Sequence, residues 1–224
     1  MRVNIEHGID GAKLAVSRGD AIIIIDTIRA STTYVNAFGS GAKRIVPCSS
    51  QDHLNLKSLD YKNALKSGER LCKKIEGYDL GSSPEEMFNT DLEGKIILSS
   101  TTNGSKMVVA SSGSFLVVMG SFCNASSVVD FFSDKDCNIT LICSGRLGNP
   151  VIEDDICAEY IKHKFENHNE DFRLSSDEIV FECSKSPSYE MLKSAGLEND
   201  FNFCMNIDSH TIVPVLDSDG FILP

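Results

Sequence analysis

Apolar residues come in short runs along this chain, each followed by a polar or glycine-bearing turn and then by a stretch with helical spacing. The run AIIII at 21–25 is too short and too β-branched for a helix, and predicts a strand buried on both faces. The turn DTIRA follows. Residues 31–38 then predict a helix that opens on Ser31, Thr32 and Thr33, hydroxyl residues of the kind that cap helix N-termini. Gly39 and Gly41 predict its end, and RIVP at 44–47 predicts a second strand. The unit recurs: 95–98 leads through SSTTNG into a helix over 105–110, and 115–119 leads through GSFCN into 125–132. Last, 139–143 leads through SGRLGNPVI into a longer helix over about 153–165. Strand, turn and helix in alternation predict an α/β fold, with a mainly parallel or mixed sheet between two helical layers.

Two stretches break the rhythm. Residues 61–87, which include GERLCKKIEGYDLGSSPEEM, are polar and glycine-punctuated and predict a long surface excursion of the functional kind. After Asn167 the chain turns polar, offers a helix near 188–195 and closes on VPVLDSDGFIL. The expectation is one domain over 1–224, with 168–224 as a C-terminal subdomain or closing flap. No short-period repeat is present.

Charge changes the picture. Among 224 residues, 21 Lys and Arg stand against 32 Asp and Glu, a formal charge of −11. Such a field repels nucleic acid and anionic membranes, and no run reaches the roughly 18 apolar residues of a membrane span. It also repels an anionic ligand, so any anion site must concentrate cations and helix N-termini locally. The eight cysteines form no C-x-x-C pair and several sit in apolar runs, so reduced, mostly buried thiols are expected in a cytoplasmic protein. The five histidines show no zinc-ligand spacing.

In a parallel α/β sheet the ligand binds beyond the carboxyl ends of the strands. The residues there are Asp26, Arg29, Ser31, Thr32 and Thr33 after the first run, and Ser99, Ser100, Thr101, Thr102, Asn103 and Gly104 after the KIIL run. Gly120, Ser121 and Asn124 follow the next, and Ser144, Gly145, Arg146, Glu153, Asp154 and Asp155 follow the last. Hydroxyls, amides, glycines and arginine at helix starts can cradle a phosphate. Carboxylates are hard oxygen ligands of the kind Mg²⁺ takes, one or two at a time, with waters and substrate oxygens completing the shell. Each residue also has a plain structural use: Asp26 can cap a turn, the hydroxyls can cap a helix, and acids at 153–155 favour a helix dipole wherever it sits.

The segments IDTIRASTTYVNAFGSGA, GERLCKKIEGYDLGSSPEEM, STTNGSKMV, GSFCNASSVVDFF, CSGRLGNPVIEDDICA and VPVLDSDG together resemble the 2-phosphosulfolactate phosphatase family, in its order and over nearly the whole chain. The resemblance implies a Mg²⁺-dependent phosphatase of three-layer α/β/α fold that hydrolyses 2-phosphosulfolactate to sulfolactate and phosphate, a step of coenzyme M biosynthesis. The family's D-x-x-R-A-S-T-T element falls on Asp26, Arg29, Ala30, Ser31, Thr32 and Thr33, and its T-T-N-G element on Thr101, Thr102, Asn103 and Gly104. The G-E-R and G-[FY]-D-L-G elements fall on 68–70 and 77–81, and the E-D element on Glu153 and Asp154. Ser82, Leu71–Cys72, Ser144, Ser105 and Glu159 depart from the family's usual Asn, Gly-Gly, Ala, Thr and Gly. The changes at 71–72 and 82 leave the reaction class standing and bear on the substrate.

On this reading Asp26, Glu153 and Asp154 hold Mg²⁺, and Asp26, Arg29 and Asn103 are catalytic. Ser31, Thr32, Thr33, Arg70, Lys74, Thr101, Thr102, Gly104 and Arg146 bind the substrate; Lys73 and Lys106 are further cations in the resembling segments. A metal-activated water attacks phosphorus. Two rivals stay open: a phosphoenzyme at Asp26, although Ile28 replaces the second Asp of a D-x-D pair, and a non-catalytic binder of small anions. The expected partner is a small anionic phosphorylated acid, with a homodimer left open.

Overall fold

The run at 21–25 shows how the layers form. All five residues are fully buried, and their side chains alternate between two separate cores. Ile23 and Ile25 pack with Phe122, Val128, Phe132 and Ile161 on one face, and Ile22 and Ile24 pack with Ala12, Ala15, Tyr34 and Phe38 on the other. A strand with two buried faces must lie between helices on both sides. The chain is therefore an α/β protein of three layers.

The structure is a computed structural model and describes residues 1–100, 104–167 and 170–224. The strands are β1 (Val3–His7), β2 (Ala21–Ile25), β3 (Arg44–Pro47), β4 (Leu65–Arg70), β5 (Lys73–Lys74), β6 (Ile96–Ser100), β7 (Val117–Gly120), β8 (Ile139–Cys143), β9 (Val215–Leu216) and β10 (Phe221–Ile222). The helices are α1 (Gly8–Arg18), α2 (Ala30–Gly39), α3 (Gln51–Asp60), α4 (Pro84–Phe88), α5 (Gly104–Ser111), α6 (Ala125–Phe132), α7 (Ile152–Glu166), α8 (Ser176–Cys183), α9 (Pro187–Ser194) and α10 (Glu198–Cys204). The strand order is β1-β8-β2-β7-β9-β10-β3-β6-β4-β5. Two parallel blocks, β1-β8-β2-β7 and β3-β6-β4, are joined in the middle by the antiparallel pair β9–β10.

The strands and helices expected around 21–47 and 95–165 are present within a residue or two. Residues 61–87 are different from expectation. They contain β4, a parallel partner of β6 inside the sheet, as well as β5 and α4. Its sequence LKSGER hides a strand because pairing, and not apolar alternation, holds it there; a Cβ at Gly68 would lie 2.9 Å from the Ser100 carbonyl. The C-terminal tail also enters the sheet. Its last two strands occupy the centre of the sheet, where Gly220 passes so close to β3 that a Cβ would lie 2.4 Å from the Ile45 carbonyl. All eight cysteines are free, and all but Cys137 are buried.

Candidate active site

Asp26 is the first residue after β2. Its Oδ1 accepts from the Ala30 N–H at 3.2 Å, so the carboxylate itself holds the start of α2. The hydroxyls expected to cap that helix lie inside it, buried and spent on protein. The Ser31 hydroxyl donates to the Ile24 carbonyl and accepts from the Asp26 N–H at 2.9 Å. Thr32 donates to the Thr27 carbonyl and lies 2.7 Å from the Ser121 hydroxyl, while Thr33 donates to the Ser82 carbonyl. These three side chains brace the turn through bonds within the protein.

The acids of α7 come in beside Asp26. Both Asp154 oxygens accept backbone N–H groups, from Thr27 at 2.8 Å and Gly145 at 2.9 Å, and so tie the turn after β2 to the turn after β8. Glu153 is completely buried, and neither of its oxygens has a hydrogen-bond partner among the described residues. The electrostatic result is strained. Burial, opposed by the Ala30 N–H and reinforced by Glu153, raises the Asp26 carboxyl from its ordinary 3.8 to about 6. Burial and then the Asp26 charge hold Asp154 well above the usual range. Burial also raises Glu153; the Ser188 and Ser186 hydroxyls lie near enough to oppose the rise without hydrogen bonding to it. Three like charges collected in the interior need a cation or protons.

Arg29 is buried, and its guanidinium forks between Asp200 of α10 and Glu69 of β4. The Ser83 hydroxyl donates to the other Asp200 oxygen at 2.5 Å. Arg29 thus lines the cleft with its charge already paired to two carboxylates. Arg70 is exposed and donates to the Glu69 carbonyl at 2.9 Å, and Arg146 rests 2.8 Å from the Met191 sulfur; neither pairs with a carboxylate among the described residues.

Asp26, Asp154, Arg29, Arg70 and Arg146 line one cleft of about 330 Å³. Ser82 also reaches it, with a buried hydroxyl that has no partner among the described residues. Lys74 lines a neighbouring cavity that shares Arg29 with the cleft, and it meets the Asp79 carbonyl at 3.2 Å and Glu86 at 3.8 Å. Gly104 begins α5, and Thr101, Thr102 and Asn103 lie outside the described residues. Sequence reasoning missed Glu69, Asp200 and Ser188. Glu69 could have been found inside the G-E-R element; nothing local marks Asp200 as reaching across the fold.

The carboxylates do not close into a finished ligand shell. Among the described residues, the one group of three whose ligand atoms all lie within 4.8 Å of one another is His7, Cys143 and Asp155. Mg²⁺ commonly takes only one or two carboxylates and keeps waters. The pair on the cleft wall, Asp26 and Asp154, with the uncompensated Glu153 behind it, fits a hard cation of that kind.

A family model described as 2-phosphosulpholactate phosphatase matches residues 10–219, which takes in every strand and helix of the cleft. The chain belongs to the 2-phosphosulfolactate phosphatase family. Among curated relatives, a probable 2-phosphosulfolactate phosphatase of Thermotoga maritima is 31% identical over 90% of this chain and 91% of its own length. Another of the same name, from Clostridium beijerinckii, is 28% identical over 96% of both chains. As a member of the 2-phosphosulfolactate phosphatase family the chain is a phosphoric monoester hydrolase. No helix among the described residues is long and apolar enough to cross a membrane.

Proposed function

We propose that this protein hydrolyses 2-phosphosulfolactate, or a closely related 2-phospho acid, in the cleft between β2, β8 and β4. The observation that carries the reading is the meeting of opposites there: buried Asp26 and Asp154, with buried Glu153 next to Asp154 in the chain, share the cleft with Arg70 and Arg146, which have no carboxylate partner among the described residues. A substrate bearing phosphate and further acid groups needs such cations in a protein of net charge −11.

Asp26, Asp154 and Glu153 are the residues that would hold Mg²⁺. When bound, the ion supplies charge neutralisation at the phosphoryl oxygens and favours ionisation of water. The chain's own residues do the rest. Arg70 and Arg146 bind the acid groups and orient the phosphate. Glu69 and Asp200 hold Arg29 rigidly at the cleft wall, and the Ser82 hydroxyl is placed to donate to a substrate oxygen. Asp26, on the cleft lining at the end of β2, is the carboxylate that would orient the attacking water. The Ala30 N–H on its Oδ1 fixes this carboxylate at the start of α2.

The test is phosphate release from 2-phosphosulfolactate, phospholactate and other 2-phospho acids, with Mg²⁺ and with EDTA. Release from phosphosulfolactate that EDTA abolishes is expected, and it would carry the coenzyme M reading with it. Metal-dependent release from other acids alone would discard that substrate. Binding of the panel without any release would make the protein an anion binder.

A further inference from the structure

The group His7, Cys143 and Asp155 lies beside the cleft, with the Cys143 sulfur 3.5 Å from the Asp154 carbonyl, but its chemistry differs. β1 and β8 are parallel neighbours whose register places His7 opposite Cys143, each at the last position of its strand. The first turn of α7 adds Asp155, whose Oδ1 lies 2.7 Å from His7 Nε2. With the Cys143 sulfur, these ligand atoms all fall within 4.8 Å of one another. Adjacent strand ends and a helix start hold the three donors, so the scaffold beneath them is rigid.

From this geometry we propose that His7, Cys143 and Asp155 form a second metal site, one that takes a borderline-soft divalent ion of the zinc class. An imidazole, a thiol and a carboxylate match the ligands of zinc and cobalt, whereas Mg²⁺ prefers oxygen alone. Three protein ligands leave a fourth position for water or a small anion. Space for it is present: His7 and Cys143 line a cavity of about 460 Å³. Ser144 lines the same cavity at 6% exposure, and its Oγ has no hydrogen-bond partner among the described residues.

The spacing suits an ion. Tetrahedral Zn–N and Zn–O bonds of about 2.0 Å put the two donors roughly 3.3 Å apart, so the His7–Asp155 pair need open only slightly. His7 binds as the neutral imidazole through Nε2 with its proton on Nδ1. Cys143 binds as thiolate and releases its proton to solvent. Burial, then Asp154 and Asp155, keep that proton on the free thiol. The same negative surroundings favour a dication once it arrives.

The test uses the full chain and Co²⁺, and does not depend on phosphatase activity. Co²⁺ bound here gives a sulfur-to-cobalt charge-transfer band in the near ultraviolet, and titrated Zn²⁺ abolishes the band by displacement. The band is expected to disappear in C143S, and the exposed changes H7A and D155N should weaken Co²⁺ binding by at least about tenfold. D26N, which alters the cleft, should leave the band intact. Absence of a thiolate band in the wild-type protein, or its persistence in C143S and H7A, would overturn the site. If the band is found and no phosphate release is seen, the metal site stands and only the phosphatase reading falls.

Discussion

Asp26 shows how much one residue can be made to do by its surroundings. It caps α2, it faces Asp154 across the turn, and burial with Glu153 nearby lifts its carboxyl from 3.8 to about 6. A carboxyl that holds its proton more tightly folded than unfolded makes the native state the better proton binder between those values. Stability without metal should then fall as pH rises from about 4 to about 6, by about 3 kcal/mol for this group alone. Urea midpoints measured in EDTA across that range should show the decline, and D26N should make it shallower. Glu153 offers a sharper case because its buried oxygens have no hydrogen-bond partners among the described residues. E153Q should raise the urea stability in EDTA by about 1–3 kcal/mol, the cost of the uncompensated carboxylate, while removing Mg²⁺-dependent turnover. Lower stability in E153Q would mean that the carboxylate is already compensated.

Arg29 belongs to the scale of elements because its guanidinium is the knot between three of them. It comes from the turn before α2, and it pairs with Glu69 at the end of β4 and Asp200 in α10. Ser83, the N-cap of α4, completes the knot through Asp200. The arrangement brings the second parallel block and the C-terminal helices to the end of β2, where the chemistry is. Deleting the cation leaves two carboxylates facing each other in a buried place. R29A should therefore cost about 3–5 kcal/mol of stability, read as a shifted urea midpoint. A loss below about 1 kcal/mol would show that the pairs are solvated and weak.

For the whole molecule the decisive feature is the C-terminal hairpin. Without β9 and β10 nothing in the strand order joins β7 to β3, and the two parallel blocks would share no backbone hydrogen bonds. Side chains reinforce the insertion: Arg44 grips Asp217 with two bonds of 2.7 Å, and both Lys57 and Tyr61 reach Asp219. The tightest point is Gly220 against Ile45. G220A should push the hairpin off β3 and destabilise the protein by about 1–3 kcal/mol. It should do so in a single cooperative transition, since the hairpin is shared by both blocks; separate transitions by fluorescence and far-UV circular dichroism would mean that the blocks fold independently.

The local elements, and the polar residues placed at their ends, are legible in the sequence. AIIII is short and β-branched, as a doubly buried strand is, the turns after it and after ITLIC hold polar groups, and the motifs carry Asp26, Arg29, Arg70, Arg146, Glu153 and Asp154. These features are legible because they depend on neighbours a few positions away, through periodicity, capping and turn chemistry. Only the tertiary structure decided which groups are free. It showed Ser31, Thr32 and Thr33 spent on the backbone, Arg29 claimed by Glu69 and Asp200, and Lys74 facing another cavity. It also turned a polar loop into β4 and a tail into the middle of the sheet, and set His7 against Cys143 across two strands. Burial, pairing and register are properties of partners distant in sequence. No local pattern encodes them, because the free energy that fixes them is gained only when the blocks meet.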